Sequence, residues 1–466
     1  MLEAAKALGG EAIFADGLLD EVCGLVEKPF ALTGKFEDRF LAVPKEALIS
    51  SMVEHQKYFA VVDKDGNLMP NFIFISNLQS KDPSQVIEGN EKVIRPRLAD
   101  AAFFFETDLK RTLDSRLEGL DRVVFQTKLG SIGDKSRRIA ALAGSIAGAL
   151  GADTAKAERA GRLAKADLVS EMVLEFDKLQ GIAGSYYASN DGEDAAVANA
   201  IAEHYLPKGM GDKLPSDDVA IAVALADRID TLIGIFGIGQ FPTGSKDPFA
   251  LRRASLGVLR ILVEKNINID LGQLIDWALD SKWEVALTAE AKADTKATLI
   301  DYMLDRFSAW YQDQNIPTVV FQAVRAKGIT QPLDINKRVQ AVYAFSKLEG
   351  AEALAAANKR VSNILAKNDA FIGAPQVNEA LLQEDAEKAL AESVEVMTEA
   401  LEPAFATGNY QEALSKLADL REPVDAFFDN VMVMADDEAL KKNRLTLLNN
   451  LRNLFLQVAD ISVLQK

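Results

Sequence analysis

Residues 234–254 read GIFGIGQFPTGSKDPFALRRA, a glycine-rich loop that leads into a helical segment. A phosphate-binding P-loop needs a glycine directly before its lysine, and here a serine separates that glycine from Lys246. The dinucleotide-binding pattern also fails, because its third glycine position holds a proline. Asp247 is a good helix N-cap and Pro248 suits the first helical position. We therefore expect a rigid loop and a helix that contact an RNA backbone or a partner protein.

The apolar pattern around this loop predicts a mainly helical protein. Strand patterns are confined to the first ~110 residues, where Asp65-Gly66 separates two β-prone runs within 58–77 and predicts a hairpin. The aromatic run at 103–105 is expected in the core. From residue 113 onward apolar residues recur at spacings of three and four, which is typical of α-helices. The clearest helix has one apolar face over 440–458, and Asp436 or Asp437 can cap its start.

Composition limits the compartment and the mode of binding. The 466 residues include 52 Lys and Arg against 69 Asp and Glu, which gives a formal charge of −17. This negative charge argues against nonspecific electrostatic binding of nucleic acid but allows binding by local basic patches. Cys23 is the only cysteine, so no internal disulfide is possible and a cytoplasmic location is expected. There is no apolar run of ~20 residues, so we expect no membrane contact.

Histidine is too scarce for most hydrolytic chemistry. His55 and His204 are the only two in the sequence, and each is expected to be structural. Metal hydrolases and Ser-His-Asp or Cys-His nucleophiles mostly need histidine as ligand or base. We therefore expect no catalytic residue in this chain.

The segments 165–176 and 224–232 resemble the framework of HD-type metal phosphohydrolases. Those enzymes place an adjacent His-Asp pair on one helix and a later aspartate on another. Here the pair position reads Ala166-Asp167, and Asp227 matches the later aspartate. Too few ligands remain for a catalytic metal pair. We expect an HD-like fold without a metal site, in which Asp167 and Asp227 cap helices or form salt bridges.

Four segments resemble the bacterial glycyl-tRNA synthetase beta subunit family. The resemblance lies in residues 55–108, 165–188, 234–254 and 427–462, in the family's order and almost end to end. The last of these segments is similar to the final part of a DALR-type anticodon-binding helical domain. The resemblance implies that the chain is the C-terminal two-thirds of the subunit.

The resemblance implies a division of labour between two kinds of subunit. The alpha subunit carries the aminoacylation site with ATP, Mg²⁺ and glycine, and the beta subunit recognises tRNA-Gly within an alpha2-beta2 heterotetramer. No cofactor or metal is then expected in this chain. The implied domains are the end of an α+β tRNA-binding module (1–112), an HD-like helical domain (113–275), a helical linker or body (276–345) and a DALR-like anticodon-binding bundle (346–466).

Basic and amide side chains are the candidate tRNA contacts, because they can bind phosphates and base edges. They are Arg252, Arg253, Arg338, Asn358, Lys359, Arg360, Lys442, Asn443 and Arg444. The pairs Lys359-Arg360 and Lys442-Arg444 are expected to lie off the apolar helix faces, so that their removal leaves folding intact.

Two other functions stay open on the sequence. One is an active HD-type metal phosphohydrolase, against which the missing His-Asp pair counts. The other is an RNA-binding anticodon-domain scaffold of another synthetase, such as the arginyl enzyme. That second alternative explains residues 340–466 but not the segments 165–188 and 234–254.

Overall fold

The chain is mainly α-helical in a computed structural model that describes residues 1–283, 289–368 and 376–465. It divides into two compact units, one of Met1–Asp230 with Asp280–Ala286 and one of Thr231–Leu279 with Leu287–Lys466. The predicted fold class, mainly helical with a small α+β region at the N-terminus, is confirmed. The four domain boundaries stay predictions. Within the described ranges no helix is both long and apolar enough to cross a membrane.

A four-stranded antiparallel sheet lies at the start of the first unit. Its strands are β1 (Glu11–Ala12), β2 (Phe30–Lys35), β3 (Phe59–Val62) and β4 (Leu68–Ser76), in the order β1-β3-β4-β2. The predicted hairpin between β3 and β4 is confirmed, and Gly66 takes the left-handed conformation with φ 78° that its turn requires. A short second hairpin pairs β5 (Val124–Gln126) with β6 (Gly130–Ser131).

Helices of 4 to 26 residues make up most of the rest of the first unit. They are α1 (Leu2–Ala7), α2 (Leu18–Leu25), α3 (Lys45–Ser50), α4 (Pro83–Asp108), α5 (Leu117–Leu120), α6 (Ile132–Leu150), α7 (Thr154–Leu163), α8 (Glu171–Glu175), α9 (Ile182–Asn190) and α10 (Ala195–Glu203). The next helix, α11 (Asp218–Gly237), contains the division between the units. Ser131 and Asp134 form a reciprocal capping box at the start of α6, and Gly151 ends that helix in the left-handed conformation.

The aromatic run on α4 is not wholly in the core, contrary to expectation. Phe103 is 62% exposed, whereas Phe105 stacks on Tyr187 with ring centroids 5.8 Å apart. Successive residues of an α-helix point about 100° apart, so three in a row cannot all face one side.

The described residues of the second unit form helices and one isolated antiparallel bridge, between Thr243 and Lys246. After the end of α11 they are α12 (Leu251–Glu264), α13 (Leu271–Leu279), α14 (Ala289–Asp313), α15 (Thr318–Arg325), α16 (Pro332–Phe345), α17 (Ala351–Lys367), α18 (Asp385–Thr407), α19 (Tyr410–Leu417), α20 (Arg421–Asn430) and α21 (Glu438–Leu456). Helix α17 packs against α20 and α21, and α16 packs against α19.

Two predicted helix starts can be compared with the structure. Helix α12 begins at Leu251 rather than at Pro248, because the residues after Asp247 first form a turn. The Asp247 carboxylate still caps the helix and accepts hydrogen bonds from the backbone N–H groups of Leu251 and Arg252 at 2.8 and 3.0 Å. Helix α21 is capped by Asp437, one of the two predicted residues, whose carboxylate accepts from the backbone N–H groups of Ala439 and Leu440.

Candidate nucleic-acid interface

Helix α17 presents a basic face opposite the side that it buries. Its alanine-rich sequence favours a helix, and Leu354, Val361 and Leu365 face the core at spacings of seven and four. Between residues 353 and 368 the sequence holds three cations and no acidic residue, although the whole chain contains 69 acids. The cations therefore project from a helix that carries no compensating charge over this span.

The basic face borders an open groove of about 320 Å³. The groove is lined by Ala356, Lys359, Arg360, Asn363, Ile364, Lys367 and Gln465. The Lys359 ammonium donates to the Gln465 carbonyl at 3.2 Å, and the Arg360 guanidinium lies 4.2 Å from the centroid of the Phe428 ring. Among the described residues, Lys359, Arg360 and Lys367 have no carboxylate within 4.0 Å. We call the set Lys359, Arg360, Asn363 and Lys367 the α17 basic face.

Only two of the four residues of the α17 basic face were predicted from the sequence. The prediction named Lys359 and Arg360 but missed Asn363 and Lys367. The signal was present, because Lys359, Asn363 and Lys367 follow one another at a spacing of four, which places them on one side of a helix.

Arg444 is buried, so the expectation that it lies off the apolar helix face is wrong. Only 6% of its surface is exposed, and its Nε lies 2.6 Å from Oε1 of the fully buried Glu387 on α18. Its Nη1 also donates to the Met432 carbonyl at 2.8 Å. Burial acts to raise the pKa of Glu387, but hydrogen bonds from Arg444 and from two backbone N–H groups hold that pKa below its usual value. This ion pair could not be predicted from the sequence, because an arginine in a helical segment gives no sign of a partner 57 positions away.

Three further candidates are occupied by contacts within the fold. Arg338 pairs with Asp334 at 2.7 Å, donates to the Tyr410 hydroxyl at 2.7 Å and stacks on that ring at 4.1 Å. Asn358 is 3% exposed and donates to the Leu354 carbonyl. Asn443 is 6% exposed and exchanges two hydrogen bonds with the backbone of Asn378, at 2.7 and 3.0 Å.

The remaining candidates lie away from the groove. Lys442 is exposed on α21. On α12, Arg253 is exposed, whereas Arg252 is half-buried and donates to the Gly244 carbonyl. The structure thus brings together Lys359 and Arg360 and leaves the other candidates on separate elements or in the core.

The first unit contains a buried cluster of charges in the segment for which an HD-like fold was predicted. The Lys165 ammonium lies 2.8 Å from Oδ2 of Asp227 and 2.9 Å from Nε2 of the fully buried His204. The Lys135 ammonium lies 3.0 Å from Oδ1 of Asp227 and 3.0 Å from Oδ2 of Asp230. Burial acts to raise the pKa of Asp227, but the charges of Lys135 and Lys165 outweigh it and hold that pKa well below its usual value.

The predicted roles of the two aspartates in this region are confirmed. Oδ2 of Asp167 accepts from the backbone N–H groups of Gly181 and Gly184 at 2.6 and 3.0 Å, at the start of α9, and Asp227 is salt-bridged to two lysines. Across residues 1–283, 289–368 and 376–465 no three or more His, Cys, Asp or Glu side chains are grouped to hold a metal ion.

Comparison with known proteins connects both units to tRNA ligases. The family model described as the glycyl-tRNA synthetase beta subunit matches residues 1–326, and that of the DALR anticodon binding domain matches residues 354–466. The glycine–tRNA ligase beta subunit of Vibrio atlanticus (strain LGP32) is 63% identical over 464 residues, which cover 100% of this chain and 67% of that relative. Those of Vibrio parahaemolyticus serotype O3:K6 (strain RIMD 2210633) and Aliivibrio fischeri (strain ATCC 700601 / ES114) are 62% and 60% identical, with the same coverage. On these grounds the chain belongs to the glycine–tRNA ligase beta subunit family.

Proposed function

We propose that this chain is the tRNA-recognition beta subunit of a glycine–tRNA ligase and binds tRNA-Gly so that a separate alpha subunit attaches glycine. The observation that carries this proposal is the match to beta subunits over the whole chain, at 60–63% identity. The alternatives of an HD phosphohydrolase or an anticodon domain of another synthetase are not favoured, because neither accounts for the match over residues 1–326.

We propose that the aminoacylation reaction takes place on the alpha subunit. ATP, Mg²⁺ and glycine bind there, the two kinds of subunit assemble as alpha2-beta2, and the complex works in the cytoplasm. The test is glycine charging of tRNA-Gly by purified alpha subunit, with and without this chain. We expect charging only when both are present, and no glycine-dependent ATP–pyrophosphate exchange by this chain alone. Exchange by the isolated chain, or full charging without it, would refute the proposal.

Within the beta subunit, the α17 basic face is the proposed contact for the anticodon arm. Its three cations lie in an acid-free span beside a groove, so phosphates approach them without a competing carboxylate from the same helix. The Arg360 guanidinium, already stacked on Phe428, offers a flat cationic surface to an unstacked base. The buried candidates Asn358, Asn443 and Arg444, and Arg338, which is held by Asp334 and Tyr410, are not part of this proposed contact.

Binding of tRNA-Gly by the variant K359A/R360A/K367A tests this surface. We expect its Kd to rise by at least about tenfold, since one lost base stack alone costs ~1–3 kcal/mol. The matched control is K388A/K416A/R421A, which also removes three exposed cations from the second unit, but cations that pair with carboxylates. The control should bind as the unaltered protein does. A tRNA-Gly with an altered anticodon should bind the unaltered protein more weakly, and equal affinity for both tRNAs would contradict anticodon recognition.

A second proposed contact is the surface around Arg253 on α12, which follows the glycine-rich loop. Arg253 is exposed, so R253A removes a surface cation without a buried partner. A weaker interaction with tRNA-Gly that is the same for both anticodons would indicate contact with the tRNA body. Unchanged affinity would remove this residue from the interface.

A further inference from the structure

The buried cluster of the first unit holds residue types that also bind metals, an imidazole and two carboxylates, but they face ammonium groups. His204 shows this most directly. An ammonium only donates hydrogen bonds, so Nε2 of His204 must accept from Lys165, which leaves the proton on Nδ1. That Nδ1–H lies 2.7 Å from the Ile201 carbonyl, which accepts it. A neutral imidazole held by a backbone carbonyl, with its other lone pair directed at a cation, is how metal-binding histidines are oriented.

Asp227 links the Lys165 ammonium to a second cation, the ammonium of Lys135. One of its oxygens faces the ammonium of Lys165 at 2.8 Å and the other faces that of Lys135 at 3.0 Å. Asp230 contributes a further oxygen to Lys135 at 3.0 Å. A carboxylate that faces two cations, with an imidazole on one and a second carboxylate on the other, resembles the ligand types of a two-metal centre.

We propose that the ammonium groups of Lys165 and Lys135 permanently occupy the two cation positions of a binuclear metal site, and that removing the Lys165 side chain opens its position to a divalent ion. A metal does not fit the unaltered protein, because both positions are filled by positive groups that would repel it. The ligands also stand at hydrogen-bond distances of 2.8–2.9 Å from Lys165, beyond the ~2.0–2.2 Å of Zn²⁺–nitrogen and Zn²⁺–oxygen bonds. This inference concerns the fold of the first unit and does not depend on the proposed tRNA binding.

Two substitutions of Lys165 distinguish the effect of losing its positive charge from the effect of losing its side-chain volume. Lys165→Ala removes the ammonium and leaves space, whereas Lys165→Met removes the ammonium and fills that space with apolar atoms. Each leaves the buried Asp227 with one cation fewer, so each should lower Tm by on the order of 10 °C in EDTA. Zn²⁺ or Mn²⁺ should then raise the Tm of K165A by several degrees and leave that of K165M unchanged. Metal analysis after gel filtration should find about one ion per chain in K165A alone.

The controls keep each outcome decisive. K178A removes an exposed lysine that pairs with Glu54 on the surface and should change neither Tm nor metal content. Lys165→His keeps a polar side chain at the position and adds an imidazole, so it should bind Zn²⁺ even if K165A does not fold. Stoichiometric metal in the unaltered protein would overturn the proposal, and so would the absence of metal from folded K165A or from K165H.

Discussion

At the scale of single residues, the ion pair between Arg444 and Glu387 is expected to dominate the stability of the C-terminal bundle. The Glu387 side chain is fully buried, so Arg444→Ala leaves a carboxylate without its cation inside the fold. Breaking such a pair from one side costs about 3–5 kcal/mol. The neighbouring Lys442→Ala removes an exposed cation and should cost less than about 0.5 kcal/mol. Urea unfolding of both variants measures the difference, and equal midpoints would contradict a structural role for Arg444.

A second residue-scale prediction concerns the pH dependence of stability. Burial raises the pKa of Asp167 to about 6, against the opposing effect of the Gly181 and Gly184 N–H groups. Because the pKa of an unfolded aspartate is about 3.9, the folded state holds a proton between pH ~4 and ~6 that the unfolded state has lost. This carboxyl therefore favours folding below pH ~4, and its contribution is lost as the pH rises through about 6. The loss amounts to about 3 kcal/mol at ~1.4 kcal/mol per pH unit.

Asp167→Asn removes this titration while it keeps the acceptor oxygen for the two glycines. Urea unfolding at pH 4 and pH 7 should show that the variant loses less stability than the unaltered protein between these two values. Parallel behaviour of the two proteins would mean that Asp167 does not take up a proton in this range.

The contrast between Arg444 and Lys359 shows how far the exposure of a single cation can be predicted from the sequence. Both looked like surface cations in the sequence, and only Lys359 is one. Whether a cation on a helix is buried depends on partners far along the chain, such as Glu387 on another helix. The same holds for the buried cluster around Lys165, which joins Lys165 in a turn after α7 to Lys135 on α6 and to Asp227 on α11. The resemblance to HD-type enzymes identified Asp167 and Asp227 as structural residues but could not show the two lysines that pair with Asp227.

At the scale of elements, the crossing of α6 and α7 depends on the absence of a side chain. A Cβ atom on Gly161 would lie 2.9 Å from the Ala140 Cα, and backbone cannot yield as a side-chain tip can. Gly161→Ala should therefore destabilise the protein by about 1–3 kcal/mol, although alanine is the better helix former.

Gly148 on the same helix pair supplies a control of opposite sign. Its added Cβ would meet only the Thr154 Cγ2 atom, at an ordinary 3.6 Å. Gly148→Ala should raise the unfolding free energy by up to about 1 kcal/mol, because it reduces the freedom of the unfolded chain. Thermal unfolding of the two variants should shift Tm in opposite directions. A stabilised G161A would show that the helices can move apart without cost.

Elements were more predictable than their ends or their exposed faces. The β3–β4 hairpin and the helices α6, α11 and α21 follow directly from Asp65-Gly66 and from apolar spacing. The start of α12 was displaced to Leu251, because Asp247 caps it across an intervening turn that a simple N-cap pattern does not contain. The exposure of Phe103 likewise depends on which side of α4 packs, and three adjacent aromatic residues do not define that side.

At the scale of the whole molecule, the charge of −17 determines how tRNA affinity should depend on salt. A protein with this excess of acid gains nothing from diffuse attraction to phosphate, so the salt dependence should come from a few local contacts. Each phosphate contact contributes about 0.7–0.9 to the slope of log Kd against log salt concentration. Removing three such contacts in K359A/R360A/K367A should reduce that slope by about 2.

Comparing K359A/R360A/K367A with K388A/K416A/R421A distinguishes the effect of local cations on tRNA binding from the effect of net charge. Both variants lose three positive charges and end at the same net charge, but the control removes cations that already pair with carboxylates. The measurement is tRNA-Gly affinity of the beta subunit assembled with its alpha subunit, over a range of salt concentrations. If the α17 basic face binds phosphates, the slope falls only in K359A/R360A/K367A. If net charge governs the interaction, both variants weaken by the same amount and their slopes change equally, because both lose three positive charges from the same total.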